Sequence, residues 1–249
     1  MANDIVQSLI DRYGAKEWLE PEARDVNVLA WRYVPLRLEG KWRQARVRVR
    51  ERPAVRRGSA IESIAPSAVR ITDSVWQAGD EDAPMVHVTT FETASRAEAR
   101  AWLLRTLAEF QAPNLERSDL GEVAFVSEGH AAGAFVRGNV VFFVRNAGRE
   151  LTPIKPILKS LDATLAEEPK RFKRPLDIPT PSGKAGKATI LELPAPDVSS
   201  WYRIVVRGAE PRIEKGRTVL IAPAGTANVT VVQESAEGAA GTKLTVEFR

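Results

Sequence analysis

The chain reads as an α+β protein: an antiparallel sheet with packed helices, followed by a small all-β sandwich. Three observations predict this. Strand-like and helix-like stretches intermix up to about residue 166, with hairpin-length links between strands. A stretch with four prolines and no apolar period, AEEPKRFKRPLDIPTPSGKAGK, then interrupts the pattern over residues 166–187. Beyond it the strands are short, the turns carry Gly and Pro, and no helical spacing recurs. The expected division is 1–166 for the α+β domain, 167–188 for a proline-rich basic linker and 189–249 for the sandwich.

The elements follow in order. Asn3 and Asp4 can cap a first amphipathic helix carrying Ile5, Val6, Leu9, Ile10 and Tyr13, with Gly14 as its stop. VNVLAWRYVPLRL at 26–38 has strand composition, and Pro35 makes it an edge strand or two short strands. Residues 68–71 and 75–77 predict two short strands, and 85–90 another. Ser95-Arg96-Ala97-Glu98 is a capping box that opens a helix over 95–111, with Ala99, Trp102, Leu103, Thr106, Leu107 and Phe110 on one stripe and Arg96, Arg100, Arg105 and Glu109 mostly off it. Residues 122–126 and 132–145 predict strands, the second folded at Arg137-Gly138-Asn139, where Gly and Asn tolerate the turn. Ile154, Ile157, Leu158, Leu161 and Leu165 share a face of a third helix, with Pro156 in its first turn.

The C-terminal strands are expected at 189–193, 201–207, 218–221, 227–234 and 242–248. Their spacing and turns resemble an immunoglobulin or fibronectin type module over roughly 60 residues. The resemblance rests on texture and implies the sandwich architecture alone. A module this small without disulfides is marginal and gains from docking on the first domain or another subunit. The last strand ends at Phe248, and an unpaired terminal strand is a potential edge for strand addition.

Charge is the most specific feature. Residues 41–57, KWRQARVRVRERPAVRR, hold eight basic residues and one acidic one, in a chain whose formal net charge is +4. Arg46, Arg48, Arg50 and Arg52 fall at every second position with Val47 and Val49 between them, a strand pattern that places arginines on one face and valines against a core. Lys41, Arg43, Arg56 and Arg57 flank this row. Arginine forks pair with carboxylate or phosphate, so the row suits an anionic polymer or an acidic protein surface. The opposing reading is a solvated strand face that wards off edge-to-edge pairing or is neutralised by neighbouring acids. A second cluster, Lys170, Arg171, Lys173 and Arg174 around Phe172, suits stacking with a nucleic acid or contact with a membrane surface, or is simply a charged linker.

Other chemistries find little footing. The chain has no cysteine, which excludes disulfides, thiolate metal sites and Cys nucleophiles. Its two histidines, His87 and His130, lie far apart in sequence. His87 alternates into a strand as a packed or hydrogen-bonded residue. His130 follows Glu128-Gly129 in a loop, the only footing for an unrecognised hydrolase. Asp80-Glu81-Asp82 lacks the spacing of a calcium loop, and no phosphate-loop or dinucleotide fingerprint occurs. Six tryptophans raise the possibility of sugar stacking, although most fall on core stripes. No secretory leader and no bilayer-spanning run is visible. The expectation is a non-catalytic interaction or assembly protein without cofactors. It would join a protein partner, or itself, through strand edges and the basic strand. A polyanion or nucleic acid is the alternative ligand. Its expected setting is extracytoplasmic as a mature form, with the cytoplasm as the alternative.

Overall fold

The computed structural model describes residues 2–51, 64–65, 68–79, 83–110, 115–127, 131–166, 172–197 and 199–249. They form a mostly β protein with three α-helices. In chain order the elements are α1 (Ala2–Arg12), β1 (Val26–Trp31), β2 (Arg43–Glu51), β3 (Arg70–Gln77), β4 (Met85–Glu92), α2 (Arg96–Phe110), β5 (Leu115–Ser118), β6 (Val123–Ser127), β7 (Ala132–Arg137), β8 (Val140–Asn146) and α3 (Lys155–Ala166). The remaining strands are β9 (Arg174–Pro175), β10 (Thr189–Leu191), β11 (Ser200–Arg207), β12 (Glu210–Glu214), β13 (Arg217–Ile221), β14 (Gly225–Ser235) and β15 (Gly238–Phe248).

The chain separates into two compact units, Met1–Pro21 with Arg37–Ala166 and Glu22–Leu36 with Glu167–Arg249. The expected domain limits are corrected in two places. Residues 22–36 belong to the second unit, because β1 pairs antiparallel with β11 along its whole length, from Val26↔Arg207 to Trp31↔Tyr202. The described part of the linker is likewise built into that unit. A strand's pattern states that it pairs, not with which strand, so a sequence-contiguous division misplaced β1.

In the first unit the strand order is β2-β3-β4-β8-β7-β6-β5, antiparallel at every pairing. After β4 the chain crosses to the far edge through α2 and returns by the β5–β8 meander, which brings β8 beside β4. The segments predicted as two strands at 68–71 and 75–77 are one continuous β3, since Thr72 and Ser74 satisfy the pleat as well as apolar residues do and are buried.

Both faces of the sheet carry helices. On one face α1 and α2 pack Tyr13, Ala99, Trp102, Leu103 and Leu107 against Ile71, Phe125, Ala134, Val136 and Val141. Trp102 stacks on Phe91 and Phe110 sits edge-on to Phe143. On the other face Leu158 and Ile154 close over Gly133, where a Cβ would lie 2.9 Å from the Leu158 side chain. Cover on both sides explains the unbroken burial of Ala132–Val136. The capping box forms: Ser95 Oγ accepts the Glu98 N–H at 3.2 Å and the Glu98 carboxylate accepts the Ala94 N–H at 3.2 Å. Asn139 at the predicted hairpin turn is fully buried and donates to the Thr93 carbonyl at 2.9 Å.

The second unit holds two sheets. One has the order β1-β11-β14-β15-β9, the other β10-β13-β12. The outer strands of the smaller sheet, β10 and β12, alternate, with Thr189, Leu191, Pro211 and Ile213 buried while Ile190 and Arg212 are exposed, whereas the central β13 is buried from Thr218 to Leu220. The expected open edge on the C-terminal strand is corrected. Arg174 and Pro175 pair in parallel with Ala240 and Gly241, and Gly183 bridges to Phe248. Further along, Gly183 N–H donates to the Glu247 carbonyl and Ala185 N–H to that of Arg249. The proline-rich segment thus caps the edge of β15 near both its ends, and it does so because an extended PPII-like chain can offer the few N–H groups an edge strand requires.

Candidate anion-docking face

β2 is the outermost strand of the seven-stranded sheet, and all nine of its residues are exposed. Its register with β3 runs Arg46↔Val75, Arg48↔Asp73 and Arg50↔Ile71, so these three arginines share one face. A bulge between Gln44 and Arg46 shifts the parity, and Arg43, opposite Gln77, lands on that same face. The pairings of β3 with β4 and of β4 with β8 extend this face sideways, from Val75 to His87 to Arg145 and from Asp73 to Thr89 to Phe143. It is the face on which α2 packs, and Arg50 lies in the row of Ile71, Phe91 and Val141, Arg48 in that of Phe143 and Arg46 in that of Arg145.

Five guanidiniums, those of Arg43, Arg46, Arg48, Arg50 and Arg145, therefore meet one carboxylate, Asp73, on the described part of this face. Asp73 is engaged from three sides. Arg50 Nη2 donates to it at 2.7 Å and Thr89 Oγ1 at 2.9 Å, while His87 Nε2 lies 3.5 Å away. These partners hold its pKa down to about 2, the His87 hydrogen bond contributing most and partial burial opposing. The other nitrogen of His87, Nδ1, accepts from Arg145 Nε at 3.3 Å, which leaves Nε2 as the protonated position facing Asp73. Arg43 Nη2 donates to the Gly79 carbonyl at 2.9 Å. Arg46 and Arg48 have no ion-pair partner among the described residues. Arg48 stands directly across from Asp73, yet the carboxylate is already taken by Arg50.

The valine expectation is corrected. Val47 and Val49 are 44% and 39% exposed, so no described core lies beneath them. The edge strand extends past the helices on both faces, and its alternation reflects two exposed faces of different chemistry.

The rest of the predicted site separates. Lys41 is exposed just before β2. Arg52, Arg56, Arg57, Lys170 and Arg171 lie outside the described residues, as do Asp80-Glu81-Asp82 and the Glu128–His130 loop. Lys173 and Arg174 belong to the second unit, where Lys173 Nζ donates to the Glu237 carbonyl at 3.2 Å and its stem runs over Gly238. Phe172 lies flat on Gly241, with a ring carbon 2.5 Å from where a Cβ would be. The aromatic between those cations is partly buried and packs on Gly241. Trp18, Trp76, Trp102 and Trp201 are buried and Trp31 and Trp42 partly so. Sequence reading missed Asp73 and Arg145; the odd-even parity of VVFFVR held the signal for Arg145, but only the β4–β8 register shows which neighbour it meets.

No protein-family model matches this chain, and no curated protein sequence does. No described helix is long and apolar enough to cross a membrane.

Proposed function

We propose that this is a non-catalytic interaction protein that docks an anionic partner on the arginine face of β2. The observation that carries the reading is the surplus of guanidinium on this face. Arg46 and Arg48 are exposed and have no ion-pair partner among the described residues, and they lie beside Arg50 and Arg145, with Asp73 as the one carboxylate on the described part of this face. Edge protection alone would be served by scattered lysines; planar forks repeated along one row at about 7 Å, twice the strand rise, suit carboxylates or phosphates along an extended chain. We read the second unit as a small β-sandwich, a reading supported by its two sheets and by the period-two burial of β10 and β12.

The test is a salt titration of the full chain against poly-glutamate, heparin and duplex DNA. Binding to at least one of them is expected at about 50 mM salt, falling by more than about tenfold toward about 200 mM. Arg46→Ala with Arg48→Ala should remove most of that binding while leaving the circular dichroism spectrum unchanged. Equal binding by the double variant, or no binding to any of the three at low salt, overturns the reading.

A further inference from the structure

Resting on that docking face, we infer that the partner is a polypeptide whose extended acidic segment adds to the outer edge of β2 as an eighth strand of the sheet. The backbone makes the first part of the case. β3 is the only strand hydrogen-bonded to β2 among the described residues, and beyond the bulge the register is regular from Arg46↔Val75 to Glu51↔Arg70. Six residues of flat, extended chain span about 20 Å at ~3.3 Å per residue. Every one of them is exposed. Such an edge presents a row of N–H and C=O groups that an extended peptide can complete.

The side chains then specify what that peptide must be. Neighbours across a strand pair stand about 5 Å apart on a shared face. Residues set beside Arg46, Arg48 and Arg50 meet guanidinium, and those set beside Val47 and Val49 meet exposed apolar surface. The fitting segment is acidic at every second position and apolar between. Neither a nucleic acid nor a sulfated sugar uses the edge hydrogen bonds or the two valines. A second copy of β2 does not fit either, because antiparallel pairing of like rows sets arginine beside arginine, and like charges directly opposite are destabilising. The other strand edge that the sequence brought forward, that of β15, is occupied near both ends by the segment 174–185.

The experiment compares three labelled peptides on the full chain by fluorescence anisotropy: an alternating Glu-Val-Glu-Val-Glu-Val-Glu peptide, a block isomer of the same composition, and the alternating peptide N-methylated at every second amide. The alternating peptide should bind at least about tenfold more tightly than either control. Val47→Thr with Val49→Thr should weaken the alternating peptide alone, and Arg46→Ala with Arg48→Ala should weaken all three. Equal binding of the three peptides, all lost in the arginine variant, overturns strand addition while leaving anionic docking standing. A DNA oligonucleotide that outcompetes the alternating peptide and is indifferent to the valine variant overturns it in favour of a nucleic acid. Absence of binding by every anion overturns both.

Discussion

Arginines gather at two places on the seven-stranded sheet, around Glu122 and along β2, and the two gatherings differ in kind. Near the Gly138 turn, the Glu122 side chain is 4% exposed and accepts from Arg96 Nε at 2.6 Å, from Arg100 Nη2 at 3.1 Å and from the Gly138 N–H at 3.1 Å. Arg100 also donates to the carbonyls of Trp18 and Glu20. These guanidiniums are spent on structure: they tie α2 and the chain after α1 to the β7–β8 hairpin. On β2, Arg46 and Arg48 face solvent with no acid left for them among the described residues. Two guanidiniums share Glu122, while five lie on the described face that holds Asp73. What separates them is the ratio of carboxylate to guanidinium and the depth at which they meet, and these decide whether charge is fold or surface.

The largest expected effect follows from the buried set. Glu122→Ala strands the buried Arg100 and the partly buried Arg96 without their carboxylate, and breaking a buried pair in this way costs about 3–5 kcal/mol. Urea denaturation of the variant should show that loss with an unchanged slope. Arg46→Ala with Arg48→Ala should shift the same curve by less than about 0.5 kcal/mol, as surface substitutions do. Similar losses in the two variants would erase the distinction between the two places.

Asp73 lies between these extremes, and its titration gives the second effect. Its folded pKa, about 2, is below the ordinary value of 3.8. A carboxyl depressed on folding stabilises the native state fully above its unfolded pKa, and that contribution is lost as pH falls through the folded one. The stability of the protein should therefore decline between about pH 4 and about pH 2 by no more than about 2 kcal/mol from this residue, its partial exposure reducing the figure further. Asp73→Asn should flatten that segment of the pH–stability curve. An unchanged slope in the variant would show that Asp73 is not held by Arg50 and His87 in solution.

The same substitution sharpens the comparison from the binding side. Asn at 73 removes the only carboxylate on the described basic face and loosens Arg50, so anion affinity should rise two- to threefold or about 0.5 kcal/mol. At neutral pH stability should fall by about 1 kcal/mol through the weakened hydrogen bonds. A variant that loses affinity would mean that Asp73 positions Arg50 for the ligand.

Much of this was legible in the residues, and the parts that were not share a cause. Capping chemistry is local, so Ser95 and Glu98 announce α2 without help from the fold. The Arg46–Arg50 alternation announces a strand for the same reason. Arg100 shows the limit: helical spacing puts it off the apolar stripe, yet it is buried, because Glu122 approaches it from a turn that sequence distance hides. β1 is visible as a strand, but its partner lies more than 170 residues away, at Arg207 for Val26. β12 escaped notice because Glu210-Pro211-Arg212-Ile213-Glu214 has few strand formers; its pairing with β13 and the burial of Pro211 and Ile213 sustain it. The candidate face was half legible. Its row of arginines can be counted in the chain, while Arg43 joins it only through a bulge and Arg145 only through the sheet order.

The smallest expected effect concerns Val47 and Val49, and it separates the sequence's reading of β2 from the structure's. Alternation with arginine argued that the valines face a core. In a core, Val→Thr buries a hydroxyl without a partner and costs at least about 1 kcal/mol per site, as an unsatisfied buried polar group does. At 44% and 39% exposed, each valine leaves its methyl groups largely in water, and threonine has the same β-branched shape and a similar strand preference. Val47→Thr with Val49→Thr should therefore change the unfolding free energy by less than about 0.5 kcal/mol in total. A loss above about 2 kcal/mol would mean that the valines are covered in solution and would remove the apolar half of the proposed docking strand. A neutral result leaves two apolar side chains held in strand register on a strand that only β3 pairs among the described residues, which is what an added strand with alternating acidic and apolar residues needs.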